Sequence, residues 1–174
     1  MNFIIKIILI LLFFFKITLL SAAEKYVYVD MDFLVNNSNV GKQIYSNISK
    51  IHKKKIDELK GIEEELKKGE TSIINQKNVI SKEEFDKKLS ELRKKANNYQ
   101  KERSNSTKSL SQKRIKATKD LLNLIEPILT QYASDNSISV IFNKKAVVIA
   151  KTESDVTSQI LKILNKKHKK IAIN

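Results

Sequence analysis

The sequence has no cysteine, one proline and three glycines in 174 residues. Without cysteine there is no disulfide staple and no thiol chemistry, an absence that any compartment permits. Glycine and proline lie far below their usual ~7% and ~5%, so few turns are available. A chain so poor in turn residues and so rich in Lys, Glu, Ile, Leu, Asn and Ser must consist mostly of long helix. There is also no Gly-rich phosphate loop, no nucleophile–base pair and no carboxylate pair in a predicted cleft, so catalysis has no candidate and no cofactor is implied. The two histidines, His52 and His168, each lie among lysines. With no cysteine and no second nearby ligand, neither makes a metal site. Asp30-Met31-Asp32 has the D-x-D form with which metal-dependent glycosyltransferases hold a divalent ion. No nucleotide-binding fold surrounds it, so Asp30 reads as the end of a strand and Asp32 as the start of a helical turn.

The apolar run Ile7 to Phe15 is nine residues long, short of the roughly 20 that span a bilayer. Extending it through Ile17 to Ala23 places Lys16 near the bilayer centre, at about 2.5–3.5 kcal/mol. A cleaved signal peptide over residues 1–23 fits better than a retained anchor. Lys6 supplies the charged start, the apolar run follows, and Ser21-Ala22-Ala23 presents small residues before Glu24. Cleavage is expected between Ala23 and Glu24, with everything from Glu24 onward exported to the periplasm.

Lys and Arg number 33 against 19 Asp and Glu, giving a formal charge of +14. Such a polycation on a helical rod suits a structural or nucleic-acid-binding coiled-coil protein, the alternative class of function. Two features oppose it. An exported protein meets little chromosomal DNA, and acids such as Glu63 to Glu65, Glu83 and Glu84 are interleaved with Lys along the helices, as on a solvated surface. No nucleic-acid partner is expected. The basic tail, residues 166–174, reads as a solvated end that can touch an anionic lipid surface.

Tyr26 to Asp30, "YVYVD", reads as a short strand. From Val40 the apolar residues Ile44, Ile48, Ile51, Ile56, Leu59, Ile62, Leu66, Ile73 and Ile74 recur mostly at steps of three or four, one helical stripe. Ser81-Lys82-Glu83-Glu84 is a capping box in which Ser81 takes the Glu84 amide and the Glu84 side chain returns to Ser81, so a second helix begins there. Its stripe runs Phe85, Leu89, Leu92, Ala96, Tyr99 and resumes at Leu121, Leu124, Ile125, Ile128 and Tyr132. Pro127 lies within it and should bend it where arm meets body. The two helices form an antiparallel pair, residues 40–134, with its bend near 78–81. About 40 helical residues per arm reach roughly 60 Å, too far for globular packing to cover. "ISVIF" (Ile138 to Phe142) and "AVVIA" (Ala146 to Ala150) read as a β-hairpin, and Val156, Ile160, Ile163 and Leu164 as a last amphipathic helix. The fold class is mainly α with a small β-body, in the order β-α-α-β-β-α. Residues 24–39 and 135–165 form the body. Three short strands and one short helix make a meagre core, so self-association is expected.

Both arm stripes fade at one level, where His52-Lys53-Lys54-Lys55 faces Gln100 to Ser109. Packing of apolar faces stabilises such helices, so this level reads as a soft hinge, which facing leucines at Lys55 and Arg103 would stiffen.

"KYVYVDMDFLVNNSNVGKQI", the Lys/Glu-rich hairpin and "ISVIFNKKAVVIAKTESDVTSQILKILN" resemble the Skp/OmpH family of periplasmic chaperones for outer-membrane proteins. The strand followed by an Asp-Met pair, the V-I-F…V-V-I-A stretch and Asp155-Val156-Thr157 carry the resemblance over essentially all of the exported chain. It implies a homotrimer with a shared β-body, from which helical hairpins hang as tentacles around an unfolded client, without ATP. The expected client surface is the arm stripe Ile62, Leu66, Ile73, Ile74, Val79, Ile80, Phe85, Leu89 and Leu92. The expected oligomerisation residues are Val27, Val29, Val140, Phe142, Val147 and Ile149. The expected clients are unfolded outer-membrane β-barrel precursors.

Overall fold

A computed structural model describes residues 24–171. Strand β1 (Lys25–Val29) leads into the short helix α1 (Met31–Asn37), where the Asp30 carboxylate accepts the Phe33 amide at 2.8 Å. Ser38 then starts α2 (Asn39–Gln76), accepting the Gly41 amide at 3.0 Å. Two caps a few residues apart fix a sharp corner without a left-handed residue, because each side-chain oxygen satisfies a first-turn amide that has no helical partner. Ser81 opens α3 (Lys82–Asp135) in the same way, accepting the Glu84 amide at 3.2 Å. Only half of the expected capping box forms. The Glu84 carboxylate turns instead to Lys88, 3.3 Å away and one helical turn on.

α2 and α3 are antiparallel neighbours of 38 and 54 residues, or about 57 and 81 Å at 1.5 Å per residue. The surplus of α3 belongs to the body. Ala117, Leu121, Ile125 and Ile128 bury one face of its inner end against Val40 and Ile44 of α2, at the spacing an amphipathic helix requires. α3 continues through Pro127 without interruption. After Ser137, which has a positive φ of 52°, strand β2 (Ile138–Asn143) pairs with β1 in parallel, from Lys25 opposite Ile138 to Val29 opposite Asn143. Parallel strands need a crossover connection, and here the entire helical hairpin is that connection. The last helix, α4 (Thr157–Lys167), closes the core with Ile160 and Leu164.

The Asp155-Val156-Thr157 stretch docks α4 on the end of β1. The Val156 amide donates to the Tyr28 carbonyl at 3.0 Å, and Thr157 Oγ1 accepts the Asp30 amide at 2.8 Å. Thr157 is itself buried, and Asp155 accepts its amide at 2.9 Å.

The expected order of strands and helices is found, with one correction inside it. Residues 146–150 do not form a strand; the described sheet has two strands only. The cause lies in Asn143-Lys144-Lys145. Asn143 accepts the Lys145 amide at 3.1 Å and starts a 3-10 turn over Lys144–Ala146. Lys144 lies 3.4 Å from Asp30 and Lys145 2.5 Å from Asp32. These ties carry the chain across the end of β1 instead of back along β2. Val148 and Ile149 keep a strand-like composition but are 101% and 90% exposed.

Candidate functional site

The arm has apolar surface to spare along most of its length. Among the described residues none from Tyr45 to Lys116 is buried. Two helices share a single seam, and each seam residue keeps a flank open because no third element covers it. Ile62, Leu66, Ile73, Ile80, Phe85, Leu89 and Leu92 are half-buried in this seam, and Gly69 lets α2 come close to Leu92. Ile74 and Val79, at the tip, are 63% and 82% exposed. Surface of this kind offers many weak apolar contacts at roughly 25 cal/mol per Å² and no single deep pocket.

The seam pattern alone does not identify two further residues. Tyr45 and Ile115 are 75% and 65% exposed near the arm root. Tyr45 lines a cleft of about 360 Å³ between α2 and α3 with Ile44, Ile48, His52, Leu110 and Arg114. The signal for both is a large apolar residue set off the periodic stripe, where it has no packing role.

At mid-arm the seam is polar, as the fading stripes require. Lys55 reaches across to Glu102 at 2.5 Å and along its own helix to Glu58 at 3.1 Å. Its ammonium is held above the ordinary lysine range by hydrogen bonds to Glu102 and then Glu58. The residue facing Lys55 is therefore Glu102, and not Arg103, which is exposed on the outer side of α3 among Gln100, Ser104 and Thr107. The helical phase is the reason: neighbouring positions point about 100° apart, so a facing pair cannot be moved by one residue.

In the body, the six residues expected to build an oligomer divide by exposure. Val27 and Val29 are buried in the chain's own core. Val140 and Phe142 are exposed on β2, Ile149 is exposed on the loop, and Val147 is half-buried. Tyr26 lies against Phe142 with ring centroids 6.3 Å apart. Together with Val147 and Ile149 they border an open cleft of about 480 Å³. The Asp30-Met31-Asp32 carboxylates are occupied by Lys144 and Lys145, and no metal-ligating cluster exists among the described residues.

The expected cleavage site joins Ala23, outside the described residues, to Glu24, which is exposed. Among the described residues no helix is long and apolar enough to cross a membrane. In the described part of the basic tail, which runs to Ile171, the lysines are exposed and the last residue is not. Ile171 is half-buried against the core, and its backbone is hydrogen-bonded to the Gln43 side chain.

No curated protein matches the chain. Among solved structures, the fold resembles that of a protein from Caulobacter crescentus CB15 described as OmpH-like. The TM-score is 0.83 at 20% identity, over 87% of this chain and 89% of that one. The family described as Outer membrane protein (OmpH-like) matches residues 25–164, from the first strand to the buried Leu164 of α4. With both body strands, the whole arm and most of the closing helix inside that match, this chain belongs to the OmpH-like outer membrane protein family.

Proposed function

We propose that the protein is a periplasmic chaperone that holds unfolded outer-membrane β-barrel precursors between its arms without nucleotide. The observation that carries this reading is the arm: a long projecting hairpin on which no residue from Tyr45 to Lys116 is buried. Half-open seam residues, together with Tyr45, Ile74, Val79 and Ile115, supply weak apolar contact at many points. The net positive charge steers acidic chains towards them. Family membership supports the same reading. Three chains assemble through Val140, Phe142, Val147 and Ile149 with Tyr26, and Residues 1–23 direct export and are removed before Glu24. The basic tail can additionally meet anionic lipid.

Dilution of a urea-unfolded β-barrel precursor tests the reading, with turbidity recorded with and without the mature protein. Suppression of aggregation near stoichiometric amounts is expected. The quadruple variant Tyr45→Ser, Ile74→Ser, Val79→Ser, Ile115→Ser should protect several-fold less well, since exposed side chains leave the fold intact when replaced. Unaltered aggregation with the parent protein would refute the proposal.

A further inference from the structure

The residues after Leu164 lie beyond the family match, yet they are bound to the first turns of α2. The Asn165 side chain accepts the Asn39 amide at 2.7 Å. Asn39 is the first residue of α2, and its amide points out of the helix with no helical carbonyl to receive it. Asn165 thus acts as a second cap beside Ser38. One turn further on, the Gln43 side chain meets Ile171 twice. Its Nε2 donates to the Ile171 carbonyl at 3.2 Å, and its Oε1 accepts the Ile171 amide at 3.0 Å. A side-chain amide that satisfies both backbone groups of one residue holds an extended segment by its main chain, as a neighbouring strand does. Asn39 and Gln43 are four residues apart, so they share one face of α2. The Ile171 side chain packs against the core beside this face. Between the two fastenings, α4 ends with the His168 amide on the Leu164 carbonyl at 2.8 Å. Lys166, Lys167, Lys169 and Lys170 are exposed there and take part in no ion pair among the described residues.

We propose that residues 165–171 form a strap that sets the stiffness of the arm at its root. Fastened, the strap adds a second tie to the first two turns of α2, whose Val40 and Ile44 already lie in the core, and confines bending to the polar seam at Lys55 and Glu102. Released, it leaves a second soft point where the arm emerges. The strap is poised for release, because two side-chain amides and one half-buried isoleucine hold it while its four lysines stay in water. Segments with so little burial open at low free energy.

Amide exchange of the mature protein without client tests this, so its result is independent of the chaperone reading. Four proteins are compared with the parent: one ending at Lys167, the variants Gln43→Ala and Asn165→Ala, and the control Lys169→Ala with Lys170→Ala. Loss of Ile171, or of the amide that holds it, should speed exchange at Lys42 to Asn47 at least tenfold. Exchange at Ile125 and Ile128 in the body, and at Lys53 to Glu58 in mid-arm, should stay unchanged. The lysine control should behave as the parent. A Asn165→Ala variant should add fast exchange of the Asn39 amide alone. Unchanged exchange at Lys42 to Asn47 in both the shortened protein and Gln43→Ala would overturn the strap. A uniform acceleration across body and arm would overturn it equally, since that marks a general loss of stability.

Discussion

Gly41 is required by a close approach and not by any unusual backbone angle. A Cβ placed there would stand 1.7 Å from the carbonyl oxygen of Val35, where α1 passes over the start of α2. Backbone cannot retreat as a flexible side chain can. Gly41→Ala should therefore destabilise the body by about 1–3 kcal/mol, in the range of overpacked core substitutions, measured by urea unfolding of the mature chain. Nearby, the Phe33 amide, and less strongly Lys144, hold the Asp30 carboxyl below its ordinary 3.8 while partial burial opposes them. A carboxyl depressed in the folded state contributes stability above its unfolded value and loses it as pH falls through the folded one. Lys145, raised by Asp32, behaves oppositely and contributes below its unfolded value. The midpoint of urea unfolding should thus fall below about pH 4 for the parent, and Asp30→Asn should flatten that fall. An identical acid limb in the variant would remove Asp30 from the account.

The helices of the arm show what can be read from periodicity and what cannot. The seam at Ile44, Ile48, Leu59, Ile62 and Leu66, the start at Ser81 and the polar level near Lys55 follow from the spacing of apolar residues, whereas Ile51 and Ile56, which share that spacing, stand exposed. The partner of Lys55 does not, because a helical pair of uncertain register leaves Arg103 and Glu102 equally available until the phase is fixed. Filling the polar level with Lys55→Leu and Glu102→Leu should slow amide exchange at Lys53 to Glu58 and Gln100 to Ser106 at least about tenfold, since local opening limits exchange there. If bending at this level widens the arm cavity, the same variant should capture large precursors less well than small ones. Equal capture of all sizes would leave the seam without a role in client choice. "AVVIA" fails as a strand for a different reason. Its composition suits a sheet, but the ties from Lys144 and Lys145 to the carboxylates of Asp30 and Asp32 turn the chain away from β2. Contacts between residues more than a hundred positions apart leave no periodic mark. The anchoring of the tail at Ile171 is hidden on the same ground, because five basic residues precede it and a contact with distant Gln43 holds it.

At the scale of the whole molecule, the proposed assembly would use the exposed body face. Val27 and Val29 already serve the chain's own core, so they are poor probes of assembly. Val140 is 40% exposed, and a charge there leaves the single chain intact but costs several kcal/mol wherever it is buried without a partner. Val140→Asp should therefore sediment as a folded single chain when the parent sediments as a trimer. A trimeric variant would move the interface off β2.

The parallel pairing of β1 with β2 also orders events in time. β1 is synthesised early, and its partner strand follows only after the entire arm has been made, more than a hundred residues later. In the interval the first strand has no sheet to join. Chain closure over such a length is slow when it relies on chance encounter, but the arm shortens the search. The turn at Lys77 to Ser81 can form at once, and the two helices can then zip from the tip inward, so that Leu121 and Ile44 arrive at the root already side by side. The body is in that sense the last piece of the molecule to be made. Substitutions near Phe85 and Leu89 should slow refolding while barely altering the rate of unfolding, whereas Val29→Ala should chiefly speed unfolding. A nascent chain halted before Ile138 would be an arm without a foothold.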